Sequence, residues 1–155
     1  MSKAVSTPTK NSKLKIKNCV EVSAALIFNN GKLLITQRHA DAHLGGLWEF
    51  PGGKREPNET FEQCLARELR EELGIEVKVG ELFEEISHAY LEKTVRLKFF
   101  VCGLQRGEPQ SLGCAAFKWI EKTELADFEF PAADARLLER LQACTLSPSR
   151  SPAWR

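Results

Sequence analysis

Residues 60–73, TFEQCLARELREEL, constrain this chain more than any other segment. At about 100° per residue, Phe61, Leu65, Leu69 and Leu73 share one slowly drifting stripe, which predicts an amphipathic helix that must pack on something larger. Thr60 and Gln63 read as a capping box and Gly74 as a C-terminal stop, so both ends are marked. The acids are placed against habit. Glu68 and Glu72 border the apolar stripe instead of opposing it, with Glu71 beside them, and spacings of three and four residues make the carboxylates neighbours. They crowd the C-terminal half, where the helix dipole disfavours anions, and each misplaced anion or like-charge pair costs about a few tenths of a kcal/mol. A solvated face balanced by Arg67 and Arg70 is one explanation. A cluster of hard oxygen ligands for Mg2+ is the other, since that ion takes few carboxylates and keeps positions for water and phosphate oxygens.

The flanking sequence supplies the larger surface. Val20, Val22 and Ala24 alternate into Leu26-Ile27-Phe28, Asn29-Asn30-Gly31 turns the chain, and residues 32–36 read as a second strand. Residues 39–58 form a long connection containing Gly45-Gly46, Pro51-Gly52-Gly53 and Pro57, and a connection of that length in a compact domain is often functional. Short strands are predicted at 75–79, 95–101 and 115–120, and a terminal helix at 132–142 with Leu137, Leu138 and Leu141 inward. Interspersed strands and helices of this kind predict an α/β fold, a mixed sheet with helices on both faces.

Charge divides the chain into three. Five lysines and no acid give residues 1–18 a charge of +5, and Arg150 and Arg155 give residues 145–155 +2. A total of +1 therefore leaves residues 19–144 at −6. The ends predict a basic flexible N-terminal segment (1–18) and a flexible tail (145–155) around one domain (19–144). An acidic body is a poor non-specific binder of nucleic acid, although it takes a polyphosphate when cations lie between the two. No apolar run approaches the ~20 residues of a membrane span. Five scattered cysteines without a CxxC pair favour neither structural zinc nor a disulfide framework, and point to a reducing cytoplasm.

Gly53-x5-Glu59-x7-Arg67-Glu68-Leu69-x-Glu71-Glu72-x-Gly74-Ile75 resembles the signature box of the Nudix hydrolases at all nine defined positions over 23 residues. The resemblance implies a Nudix-type α/β/α sandwich and hydrolysis of nucleoside diphosphates linked to another group, with Mg2+ as cofactor (Mn2+ as a substitute). It assigns metal binding to Glu68, Glu71, Glu72 and the Gly52 carbonyl, and makes Glu68 the general base. Glu59 and Arg67 would secure the catalytic loop and helix. Arg38 to His43, the Leu47–Lys54 run and Phe130-Pro131-Ala132-Ala133-Asp134 resemble the MutT-type branch, whose members convert nucleoside triphosphates, including oxidised dGTP or cytidine nucleotides, to monophosphate and pyrophosphate. By that likeness Arg38 contacts a phosphate, His43 and the Glu49–Gly52 segment with Phe50 line the nucleotide pocket, Lys93 stands near the substrate, and Asp134 faces the base.

Plainer roles exist for the same residues. Arg38 and Lys93 are readable as surface cations, His43 as a loop histidine, Phe50 as core and Asp134 as a helix N-cap. Relatives often carry one more glutamate ahead of the strand near Trp119, where this chain reads Ser111-Leu112-Gly113-Cys114 and has no acid. That gap and the lysine-rich head motivate an alternative, a catalytically weak MutT-like domain that recognises oxidised guanine in DNA. Tyr90, sixteen residues after Gly74, is a faint echo of dinucleoside polyphosphate hydrolases and more simply a packing residue. Oligomeric state has no signature here.

Overall fold

The computed structural model describes residues 18–144. The expectations for residues 1–17 and 145–155 lie outside the described residues. Strands β1 (Cys19–Asn29), β2 (Lys32–Gln37), β3 (Trp48–Glu49), β4 (Gly52–Lys54), β5 (Glu76–Ala89), β6 (Thr94–Arg106) and β7 (Ala116–Ile120) form one sheet. Helix α1 is Phe61–Leu73 and helix α2 is Ala135–Ala143. The sheet runs β3-β2-β1-β6-β5, with β4 added on β1 and β7 on β2. Its spine is the parallel pairing of β1 with β6, from Cys19 opposite Thr94 to Phe28 opposite Gly103, and the other pairings are antiparallel.

The two-residue period of β1 makes a three-layer arrangement. Ala24, Leu26 and Phe28 face one core with Leu33, Ile35, Phe99, Leu137 and Leu141, which brings α2 onto that side. Ala25 and Ile27 face the other with Leu34, Leu65, Leu69, Leu73 and Phe100, which brings α1 onto the opposite side. Both faces of the mixed sheet are thus covered by helices, as the sequence predicts.

Local chemistry explains the boundaries. Asn30 (φ 53°) and Gly31 (φ 78°) make a tight left-handed turn between Asn29 and Lys32. Thr60 Oγ1 accepts from Gln63 N (3.0 Å) and Gln63 Oε1 from Thr60 N (2.9 Å), so the expected capping box starts α1. Gly74, at φ 68°, ends it. Several elements differ from expectation, and β6 runs on from the predicted end at 101 to Arg106. The 39–58 connection contains β3 and β4. Strand β5 continues ten residues beyond the predicted end at 79, because register shifts between Val79 and Glu84 break the alternation that marks a strand in sequence. The last helix begins as a 3-10 turn over Ala132–Asp134 and becomes α-helical at Ala135.

Candidate active site

Strand β4 brings the glycine loop to the helix. Its pairing sets Gly52 opposite Ala24 and Gly53 opposite Ser23, and Ala25 N donates to Pro51 O at 2.8 Å. Ser23 Oγ donates to Phe61 O at 2.8 Å, which ties the start of α1 to the same point of β1. A Cβ on Gly53 would stand within 2.6 Å of Glu68 Oε2. The absence of a side chain at Gly53 lets the carboxylate of α1 lie directly against the backbone.

Arg67 organises the acids from behind. Its Nε and Nη2 donate to the two oxygens of Glu59 (3.0 and 2.8 Å), and Nη1 donates to Glu68 Oε2 (3.0 Å) and Glu71 Oε1 (3.2 Å). Nη2 also reaches Lys54 O at 3.2 Å. Glu59 Oε2 accepts from Glu56 N at 2.9 Å, so helix and loop are clamped together. The Arg67 hydrogen bonds hold the Glu59 carboxyl down at about 2. Beyond the helix, Gln110 N donates to Leu73 O (2.9 Å), and Leu112 N and Gly113 N both donate to Glu72 O (3.0 Å each). This loop supplies amide donors to the helix end that carries the most negative charge.

Glu68 and Glu72 open on a cavity of about 390 Å3, within the range of small-ligand sites. The sheet contributes Val22, Ala24, Leu97 and Phe99, and the segment before α2 contributes Pro131, Ala133 and Asp134. Ser23, Arg38, Leu44, Glu49, Phe50, Gly52, Gly53, Lys54, Tyr90 and Val95 complete its wall. Arg38 Nη1 pairs with Glu49 Oε1 at 2.9 Å, and its Nε donates to His43 O at 2.7 Å. Phe50 packs against Phe130 and Phe99, with ring centroids 5.2 and 6.1 Å away, so it is a core residue that also borders the cavity.

Seven of the residues singled out in the sequence therefore meet on one cavity: Arg38, Glu49, Phe50, Gly52, Glu68, Glu72 and Asp134. Glu71 is not part of the cavity wall and its side chain is 59% exposed, and Glu59 and Arg67 stand behind. His43 is exposed in the 39–47 loop and joins through its backbone carbonyl, not its ring. Lys93 lies in a neighbouring depression with Asn18, Leu91 and Thr94, and Tyr90 borders both that depression and the cavity. Asp134 is buried and makes no side-chain cap bond, which disposes of the N-cap role. Sequence reasoning missed Leu44, which is held at φ 57°, and set Tyr90 aside as packing. A positive φ at leucine has no sequence signal, and Tyr90 is brought to the wall by the β5–β6 pairing.

Electrostatics mark the same place. Burial first, and then the charges of Glu68 and Glu49, push Glu72 up to about 8. Burial also raises Glu68. Burial and the charge of Glu49 raise Asp134 to about 7. The donor set is a backbone carbonyl and carboxylates, and the Gly53 cradle keeps one carboxylate close to the loop, so these residues fit a hard divalent cation. Among the described residues no group of three or more His, Cys, Asp or Glu side chains is placed to hold a metal ion by itself. Mg2+ requires no such group, because it retains several waters.

Glu72 and Asp134 bind protons more tightly when folded than unfolded, so their contribution to stability is fullest below about pH 4 and is lost as pH rises toward 7–8. In EDTA the melting temperature should fall by several degrees between pH 5 and pH 8.5, and Mg2+ should restore more of it at pH 8.5 than at pH 5. Scanning fluorimetry checks this. An equal effect of Mg2+ at both pH values would contradict it.

A helix-flanked mixed sheet whose glycine loop and acidic helix share the Gly53–Ile75 run is the architecture of a phosphoanhydride hydrolase fold, and the chain belongs to the Nudix family. The NUDIX domain model matches residues 23–140. The chain is 40% identical over 124 residues to the CTP pyrophosphohydrolase of Escherichia coli K12, covering 80% of this chain and 92% of that one. It is 34% identical over 124 residues to the 8-oxo-dGTP diphosphatase of the same organism, covering 79% and 96%. Among solved structures it resembles the solution structure of the E. coli ORF135 protein, with a TM-score of 0.70, 38% identity and coverage of 81% and 90%. Nudix hydrolases as a family require a divalent metal. No helix among the described residues is long and apolar enough to cross a membrane.

Proposed function

We propose that the protein is a Mg2+-dependent nucleoside triphosphate pyrophosphohydrolase, converting an NTP or dNTP and water to the monophosphate and pyrophosphate, with cytosine or oxidised guanine nucleotides as substrates. The observation that carries this is the single cavity of about 390 Å3 walled by both the acidic helix and Asp134. Glu49 links the two regions, since its charge acts on Glu72 and on Asp134. The named activities of the two E. coli relatives support the same reaction.

The Gly52 carbonyl, Glu68, Glu71 and Glu72 would hold a divalent cation, which would neutralise polyphosphate charge and activate water. The chain's own residues do the rest. Glu68, steadied by Arg67, accepts the proton of the attacking water. Arg38 exchanges its Glu49 partner for a phosphate oxygen. Leu97 and Phe99 offer an apolar wall to the base, and Asp134 meets its polar edge. The five cysteines are all free, which fits work in a reducing cytoplasm.

The test is pyrophosphate release with Mg2+ over canonical, oxidised and methylated nucleoside triphosphates. Release of pyrophosphate and monophosphate is expected, and a silent panel overturns the reading. Asp134 adds a sharper prediction. Below about pH 7 it is protonated and donates, and above that it only accepts. The ratio of kcat/KM for 8-oxo-dGTP over CTP should therefore change through pH 7 in the wild type and be flat in Asp134→Asn. Groups such as Glu72 act on both substrates and cancel in that ratio.

A further inference from the structure

We propose that Tyr90 is a specificity-determining residue: its hydroxyl donates a hydrogen bond to an acceptor on the base edge, beside the group that Asp134 contacts, so the base is read at two points. This rests on the nucleotide reading above.

Tyr90 follows the end of β5, and its N donates to Lys93 O at 2.7 Å, closing the turn into β6. Tyr90 lines the cavity while Leu91 is 99% exposed. Tyr90 also borders the depression that Lys93 occupies, so it stands between the two spaces. The His88 ring braces the tyrosine at 4.5 Å between centroids, tilted by 59°.

Tyr90 stands apart among the polar side chains of the wall, which also include the cation Lys54 on β4. Ser23 and Tyr90 are the hydroxyl side chains there, and Ser23 Oγ is committed to Phe61 O at 2.8 Å. Arg38 and Glu49 hold each other. Glu68 and Glu72 belong to the metal side. Among the described residues the Tyr90 hydroxyl and the Asp134 carboxyl have no hydrogen-bond partner, yet both border the same space. Such groups are set up for a ligand, because leaving them unmet in a filled cavity is costly. Burial and the charge of Asp134 keep the phenol protonated, hence a donor.

The chemistry of the pair matches the bases in view. Cytosine presents its N4 amino donor beside ring acceptors, and guanine presents N–H donors beside the O6 acceptor. A carboxylate takes the donor and a phenol serves the acceptor, which a carboxylate alone cannot do.

The test is Tyr90→Phe, which keeps the ring and its packing on His88 and removes only the oxygen. With CTP and 8-oxo-dGTP, kcat/KM should fall about tenfold, the equivalent of one hydrogen bond. With base-free deoxyribose 5′-triphosphate it should not change, and neither should the melting temperature. Unchanged nucleotide kinetics, or an equal loss on the base-free compound, overturns the proposal. Calorimetric titration of CMP and 8-oxo-dGMP in Mg2+ provides a readout that needs no turnover. If the wild type releases no pyrophosphate from any triphosphate, the proposed function fails, and the titration still decides Tyr90, since equal binding by wild type and Tyr90→Phe would refute its role.

Discussion

Glu68→Gln is expected to lower kcat for pyrophosphate release by about three orders of magnitude, in the range that loss of a positioned general base produces. The amide keeps the size of the side chain and can still accept from Arg67 Nη1, which stands 3.0 Å from Glu68 Oε2, but it cannot take a proton from water. Stability should behave oppositely to activity. Burial raises the Glu68 carboxyl, and the charge of Glu71 adds to that, so removing the ionisable group relieves a cost in the metal-free protein. The melting temperature in EDTA should hold or rise while turnover collapses. A kcat within tenfold of the wild type would remove Glu68 from the chemistry, and a fall in melting temperature would show that its role is to hold the helix.

The second large effect separates two adjacent glycines. A Cβ on Gly52 would stand 2.8 Å from Ala24 Cα and crowd the backbone carbonyl of Ser23. Neither atom can move without parting β4 from β1. Gly52→Ala should therefore cost about 2 kcal/mol or more, read as a lower midpoint in urea. At Gly53 the obstacle is the end of the Glu68 side chain, which can swing away. Gly53→Ala should keep most of its stability and lose activity by about a hundredfold, because the carboxylate is displaced from its seat. Equal stability losses would mean that the loop, and not Glu68, absorbs the added methyl. The pair thus separates the loop's structural work from its catalytic work.

Legibility in the sequence followed the range of the interactions. Helix α1 was readable to the residue because Thr60, Gln63 and Gly74 act within a few positions of one another. The Asn30-Gly31 turn was readable for the same reason. Strand β5 was cut short because its irregular register between Val79 and Glu84 hides the alternation, and its pairing with β6 is what extends it. The acidic side of the site announced itself through charges placed at a cost. Its apolar side did not, since Leu97 and Phe99 look like any strand residues until the chain folds. The placement of His43 and Lys93 was not legible in the sequence. One contributes a carbonyl to Arg38 and the other stands in a neighbouring depression, outcomes set by loop geometry and not by residue type.

The short connection before β7 has an implication for chimaeras. Through Leu112 and Gly113 it grips the peptide carbonyl of Glu72 with two amides, with no slack joint between. Lengthening or shortening it by one residue would transmit directly to that glutamate. A graft from a relative that brings an acid into this connection must therefore also reproduce both amide contacts, or it will add a carboxylate and lose the alignment of Glu72.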